Sequence, residues 1–178
     1  MTTDEMVETN SSEMIDQITH EKLAENLAHD EIRIIHSRST SDHFTRYSWD
    51  GRLWLFNDGG SHHTAAAKYI ATRLREPVAL TGNLHTYSLN ADAVNSLCND
   101  FEMFIMPKVS MEFFDAMCAF KATWFSHAMP SPYEDMQAIL LPRSEERSMR
   151  VAAELSKARI PNLGTYLLDL LEKQEGRR

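Results

Sequence analysis

The chain has 178 residues, a hydrophobic fraction of 43% and a formal net charge of -8. That length and apolar content suit one domain with a substantial core, and no stretch approaches the roughly 20 apolar residues of a membrane span. The negative charge disfavours sequence-independent binding along duplex DNA, which depends on neutralising phosphates.

The charge is uneven. Residues 1–30 hold eight acids against the single base Lys22, whereas residues 143–178 hold eight bases against six acids. A basic contact surface and a solvated helix face both fit the latter segment. The N-terminus opens with Asp4, Glu5 and Glu8, not with the basic-then-apolar pattern of a secretory leader. Cys98 and Cys118 show neither metal-ligand spacing nor a disulfide framework. The expected location is therefore the cytoplasm.

Met1 to Ser12 offer almost nothing to bury, so a disordered tail is expected over 1–12. Ser11–Asp30 reads as a helix, with Met14, Ile15, Ile18, Leu23 and Leu27 as a rough apolar stripe. Glu31–Ser37 is strand-like through Ile32, Ile34 and Ile35. His43–Trp49 and Arg52–Phe56 flank Asp50–Gly51, which predicts a hairpin with a type I′ turn. His62–Arg75 is helical in composition, with three consecutive alanines from Ala65, and Pro77 ends it. Short strands are expected at Val78–Leu80 and Leu84–Leu89, and Asn90 caps a helix through Leu97. Phe101–Met106 reads as a strand, Val109–Phe120 as an apolar helix and Ala138–Leu141 as a strand. Ser144 is a candidate cap for a helix to Lys157, and Thr165–Lys173 forms a last one. Met106, Met111, Met117 and Met129, with several aromatics between them, suit core packing, although such residues also line adaptable surfaces. Hairpins and helices alternate, so the class is α/β or α+β with a mixed sheet. Pro107 and Pro142 mark turns with no long linker between, which makes 13–178 one domain.

The segment Asp58–Thr64 carries the chemistry. It runs strand, two glycines, small hydroxyl residue, helix. A helix N-terminus leaves its first amides unpaired and bears partial positive charge, which matches the acceptors and charge of a phosphate. Gly59 and Gly60 let the backbone turn and approach a bulky oxyanion, Ser61 and Thr64 offer hydroxyls, and His62 and His63 offer imidazole donors. Asp58 beside a phosphate is repulsive unless a metal or a proton lies between, which points toward a divalent ion. Adjacent helical residues point about 100° apart, so His62 and His63 are poorly placed to hold one zinc together. Spacing alone is equally compatible with a plain tight turn capped by Ser61. Glu102 and Glu134 are distant candidate metal acids, and His85 a candidate ligand; each also reads as an ordinary sheet or surface residue.

The run Asp58-Gly59-Gly60-Ser61-His62-His63-Thr64-Ala65-Ala66-Ala67, followed by Pro77-Val78, resembles the signature of the ParB/sulfiredoxin superfamily over roughly residues 50–82. That signature is a strand, a glycine turn ending Gly-x-His-Arg, an Ala-rich helix and a short strand. Gly60 and His62 match it; His63 stands at the arginine position and Ser61 at the cysteine by which sulfiredoxins act. Size, acidity and the extra C-terminal half are similar to those of plasmid fertility-inhibition proteins of the Osa type.

The resemblance implies a ParB/sulfiredoxin-like mixed sheet with surrounding helices and a C-terminal helical extension. It implies ATP as ligand with magnesium as the divalent cation. Gly59, Gly60, Ser61, His62 and His63 would contact the nucleotide phosphates. The loop's own chemistry adds Thr64 to the nucleotide site and Asp58 as metal ligand, with Asp58, His62 and His63 as the catalytic candidates. The implied activity is that of an ATPase and metal-dependent DNase inhibiting conjugative or T-DNA transfer through a type IV secretion system. A non-catalytic module that blocks a secretion coupling protein is the alternative. DNA and that coupling protein are the implied partners, and the latter would bring the chain to the inner face of the membrane.

Overall fold

The computed structural model describes residues 3–37, 39–108 and 111–177. The described chain forms two compact units. The first takes in residues up to Tyr47 and Gly51–Tyr87, and the second Ser48–Asp50 and the residues from Ser88 onward.

In the first unit, α1 (Thr3–Asn10), a 3-10 turn at Ser12–Met14 and α2 (His20–Leu27) precede a single helical turn, α3 (Arg33–His36). Then come β1 (His43–Tyr47), β2 (Leu53–Phe56), α4 (Ser61–Leu74) and β3 (Leu84–Tyr87). The strand order is β2-β1-β3, with β2 antiparallel and β3 parallel to β1, so the sheet is mixed as expected. Helix α4 packs against α1 and α2. Its alanines make this possible: Ala65 and Ala66 close on Val7, and Ala67, Ile70 and Ala71 on Leu23.

The second unit holds α5 (Ala91–Asp100), β4 (Phe101–Pro107), α6 (Met111–Phe120), β5 (Phe125–Ala128), β6 (Met136–Pro142), α7 (Glu146–Lys157) and α8 (Leu163–Glu175). Its sheet, ordered β4-β6-β5, is antiparallel throughout. Phe104, Ile139 and Leu141 are fully buried there beside Met117 and Ala152.

Several expectations need correction. The tail expected over 1–12 is helical from Thr3 to Asn10; buried Val7 and half-buried Met6 pack on α4, and Arg73 of α4 pairs with Asp4 and Glu8. Met1 and Thr2 lie outside the described residues, as do Val109 at the expected start of the apolar helix and Arg178 of the basic segment. Ser11–Asp30 is not one helix, because Thr19 takes the N-cap of α2 and accepts from the Lys22 amide. The isoleucine run 31–37 forms a helical turn instead of a strand. Ile34 there lies against Gly82, where a β-carbon would come within 2.9 Å of its Cδ1 and 3.2 Å of the Phe44 ring. The β1–β2 connection spans more than the two residues of a type I′ turn, with Gly51 in the left-handed region at φ 73°. Val78 and Leu80 are exposed and outside any strand, and Glu145, not Ser144, occupies the cap position of α7.

Candidate functional site

The glycine loop joins β2 to α4. Gly59 has φ 142° and Gly60 φ 64°, both conformations that L side chains rarely adopt. The two glycines differ in surroundings. A β-carbon on Gly60 would lie 2.6 Å from the Glu31 carbonyl oxygen and 2.8 Å from the Ile32 nitrogen. One on Gly59 would meet nothing closer than 3.7 Å. Gly60 thus serves the packing of the loop on the α2–α3 connection, whereas a β-carbon at Gly59 would make only ordinary contacts with Arg33 and Glu31.

Gly60 is also the N-cap of α4 and has no side chain to cap it, and among the described residues no side-chain cap bond is seen there. The first amides of the helix therefore lack the oxygen that Ser, Thr, Asp or Asn supplies at such a position. Ser61 begins the helix instead of capping it, which corrects the capping alternative. Asn57 donates its side-chain amide to the Gly59 carbonyl and, over 3.0 Å, to Ser61 Oγ. Since Ser61 Oγ accepts there, its own hydrogen points elsewhere and is available to donate.

The carboxylates hold the loop together. Asp42 is buried, and its Oδ1 accepts from the Asp58 amide at 3.1 Å, while Oδ2 is buried with no hydrogen-bond partner. Asp58 itself faces solvent, with its Oδ2 3.2 Å from Nη1 of Arg33. The Arg33 guanidinium reaches beside Gly59. An arginine thus stands at the loop although position 63 is histidine. It comes from α3, in a segment read from sequence as a strand, and no sequence spacing signals it.

His62 and His63 diverge, as their helical spacing requires. His62 is exposed and bonds through Nδ1 to the buried hydroxyl of Ser11. His63 turns toward α2: its Nδ1 lies 3.2 Å from Asn26 Oδ1, and its ring stacks on His29 at 3.6 Å between centroids. Burial, and next the neighbouring His29, hold the His63 imidazole below its usual range. Thr64 donates its amide to the Gly60 carbonyl at 2.9 Å, and its hydroxyl is buried with no hydrogen-bond partner. Ser11, Asn26, His29, Glu31 and Arg33 were not singled out as site residues in the sequence; each arrives by tertiary packing.

Among the described residues, no group of three or more His, Cys, Asp or Glu side chains is placed to hold a metal ion. Glu102 and Glu134 belong to the second unit. There Glu102 pairs with Arg143, and a hydrogen bond from Ser131 holds the Glu134 carboxyl below its usual range. His85, on β3, stacks on His43 at 4.4 Å. No helix among the described residues is long and apolar enough to cross a membrane. No curated protein and no solved structure matches the chain. A family model described as a family of unknown function (DUF6685) matches residues 1–178, and the chain belongs to that family.

Proposed function

We propose that the first unit binds a phosphate-bearing ligand, a nucleotide such as ATP, at the N-terminal turn of α4. One observation carries the reading. Gly60 brings no capping side chain to the helix end, and among the described residues the guanidinium beside it is paired with a solvent-facing carboxylate. A phosphate replacing Asp58 on Arg33 gains charge-assisted hydrogen bonds, the helix-end field and the Ser61 hydroxyl together. The similarity of the loop to the ParB/sulfiredoxin signature supports the same reading, as does its place between a strand and an Ala-rich helix.

Magnesium accompanying a nucleotide is bound mainly by phosphate oxygens and water, with one or two carboxylates. Asp58 fits that role once Arg33 turns to the phosphate, because its side chain is 84% exposed. Binding alone is proposed here. His62 and His63, which hydrolysis or DNA cleavage would draw on, are engaged with Ser11, Asn26 and His29. A binding module of this kind suits the alternative in which the protein acts by occupying a partner such as a secretion coupling protein.

The test is isothermal titration of ATP, with and without magnesium, into wild type, Arg33→Gln and the His62→Ala/His63→Ala double variant. Binding that Arg33→Gln weakens supports the site. Equal binding in wild type and Arg33→Gln removes Arg33 from it, and absence of binding in wild type overturns the proposal.

A further inference from the structure

Asn26 fixes the tautomer of its neighbour. It is buried, and its side-chain amide donates to the carbonyls of Met14 and Lys22, each at 3.0 Å. Those two bonds use both amide hydrogens, so Oδ1 faces His63 as an acceptor and Nδ1 of His63 carries a proton. The second imidazole, His29, lies on this ring at 3.6 Å with 16° between planes. Its Nδ1 is buried without a hydrogen-bond partner among the described residues, and the Asp30 carboxylate stands 3.7 Å away on a side chain 96% exposed. Other titratable groups act on His63 from the neighbouring elements. Glu25 comes from α2, where it pairs with Lys22 at 3.2 Å; Glu31 comes from the α2–α3 connection; His62 comes from α4.

We infer that the His29–His63 stack is a proton-operated latch between the end of α2 and the first turn of α4, closed while at least one ring is neutral and opened when both are charged. One proton is tolerated, because a charged ring can rest on a neutral one and Asp30 faces His29. Two like charges at stacking distance are not, in a site where burial already disfavours the charged form of His63. Opening separates Asn26 from His63 and leaves a cationic imidazole beside the uncapped end of α4. This last consequence rests on the anion-binding reading above; the latch does not.

Hydrogen exchange of the whole chain, followed from about pH 7.5 to about pH 5 and corrected for intrinsic rates, tests the latch. The expected result is a loss of protection of about tenfold or more in α2 and the first turns of α4. The His63 ring shift should report the same midpoint by NMR, while β4 and β6 keep their protection. His29→Phe, which keeps a stacked ring but no charge, should remain protected at low pH. If that variant fails to fold, His29→Asn carries the same expectation. Unchanged protection in wild type, or equal loss in His29→Phe, would overturn the latch. Sodium sulfate, at ionic strength matched with chloride, should raise the His63 midpoint. A latch that opens without any sulfate effect would overturn the anion-binding reading and leave the latch standing.

Discussion

The α-hydrogen of Gly60 fills the only space left between the loop and the Glu31 carbonyl, since a β-carbon there would sit 2.6 Å from that oxygen. Gly60→Ala therefore meets a backbone clash in addition to a left-handed φ of 64°. We expect it to cost about 3 kcal/mol or more, the upper end for a strained backbone position. Gly59→Ala should cost less, about 1–2 kcal/mol, because only its backbone conformation is strained. Urea denaturation of the two variants gives the comparison, and equal losses would contradict the packing role of Gly60.

Arg33 and Asp58 form an exposed pair, with side chains 44% and 84% accessible. Such pairs contribute about 0–1 kcal/mol, so Arg33→Gln should leave stability almost unchanged. The proposed binding should still weaken about tenfold, because a charged donor to phosphate is lost. Asp58→Asn separates two roles for the carboxylate. If Asp58 chiefly competes with phosphate for Arg33, magnesium-free binding strengthens in the variant. If it chiefly serves as a metal ligand, binding in magnesium weakens. Calorimetry in the two buffers reads both.

How much of this was legible in the sequence depends on how local the causes are. The start of α4 and its glycine turn were legible because φ above zero and alanine content act within a few residues. The Asn90 cap was legible for the same reason, and its Oδ1 accepts from the Ala93 amide at 3.1 Å. Strand β5 was missed because all its residues are exposed, so no apolar alternation marks it. Helix α1 was missed because only Met6 and Val7 in it are apolar and its other ties to α4 are ion pairs made across the fold. Arg33 could not be placed because its contact with the loop spans 25 positions of chain.

In the second unit, Gln174 is buried and its side chain pairs with the backbone of Leu89 in both directions. Nε2 donates to the carbonyl at 3.0 Å, and Oε1 accepts from the amide at 2.8 Å. Gln174→Leu preserves much of the volume but strands both backbone groups. A loss of about 2–4 kcal/mol is expected from two unsatisfied polar groups. Gln174→Glu keeps the acceptor and should lose less at low pH, where its protonated carboxyl can also donate. Thermal unfolding of the two variants across pH separates the hydrogen bonds from simple packing.

The lowered His63 imidazole also sets a direction for stability. An unfolded chain binds its proton near pH 6.5, the folded one only below that. The unfolded state therefore holds more protons in the interval between the two values. Stability from this group is complete above 6.5 and is lost as pH falls through the interval toward the folded value. His63→Gln should flatten that part of the profile. Chemical denaturation at a series of pH values, with His43→Gln as a control imidazole elsewhere in the first unit, supplies the check.

The most direct test of phosphate binding at α4 is a titration of the 15N-labelled chain with inorganic tripolyphosphate, followed by amide and arginine side-chain NMR signals. Saturable shifts centred on Gly59–Thr64 and on the Arg33 guanidinium are predicted, and Arg33→Gln should weaken them. Shifts confined to other segments, or none at all, would contradict a phosphate site at the uncapped end of this helix.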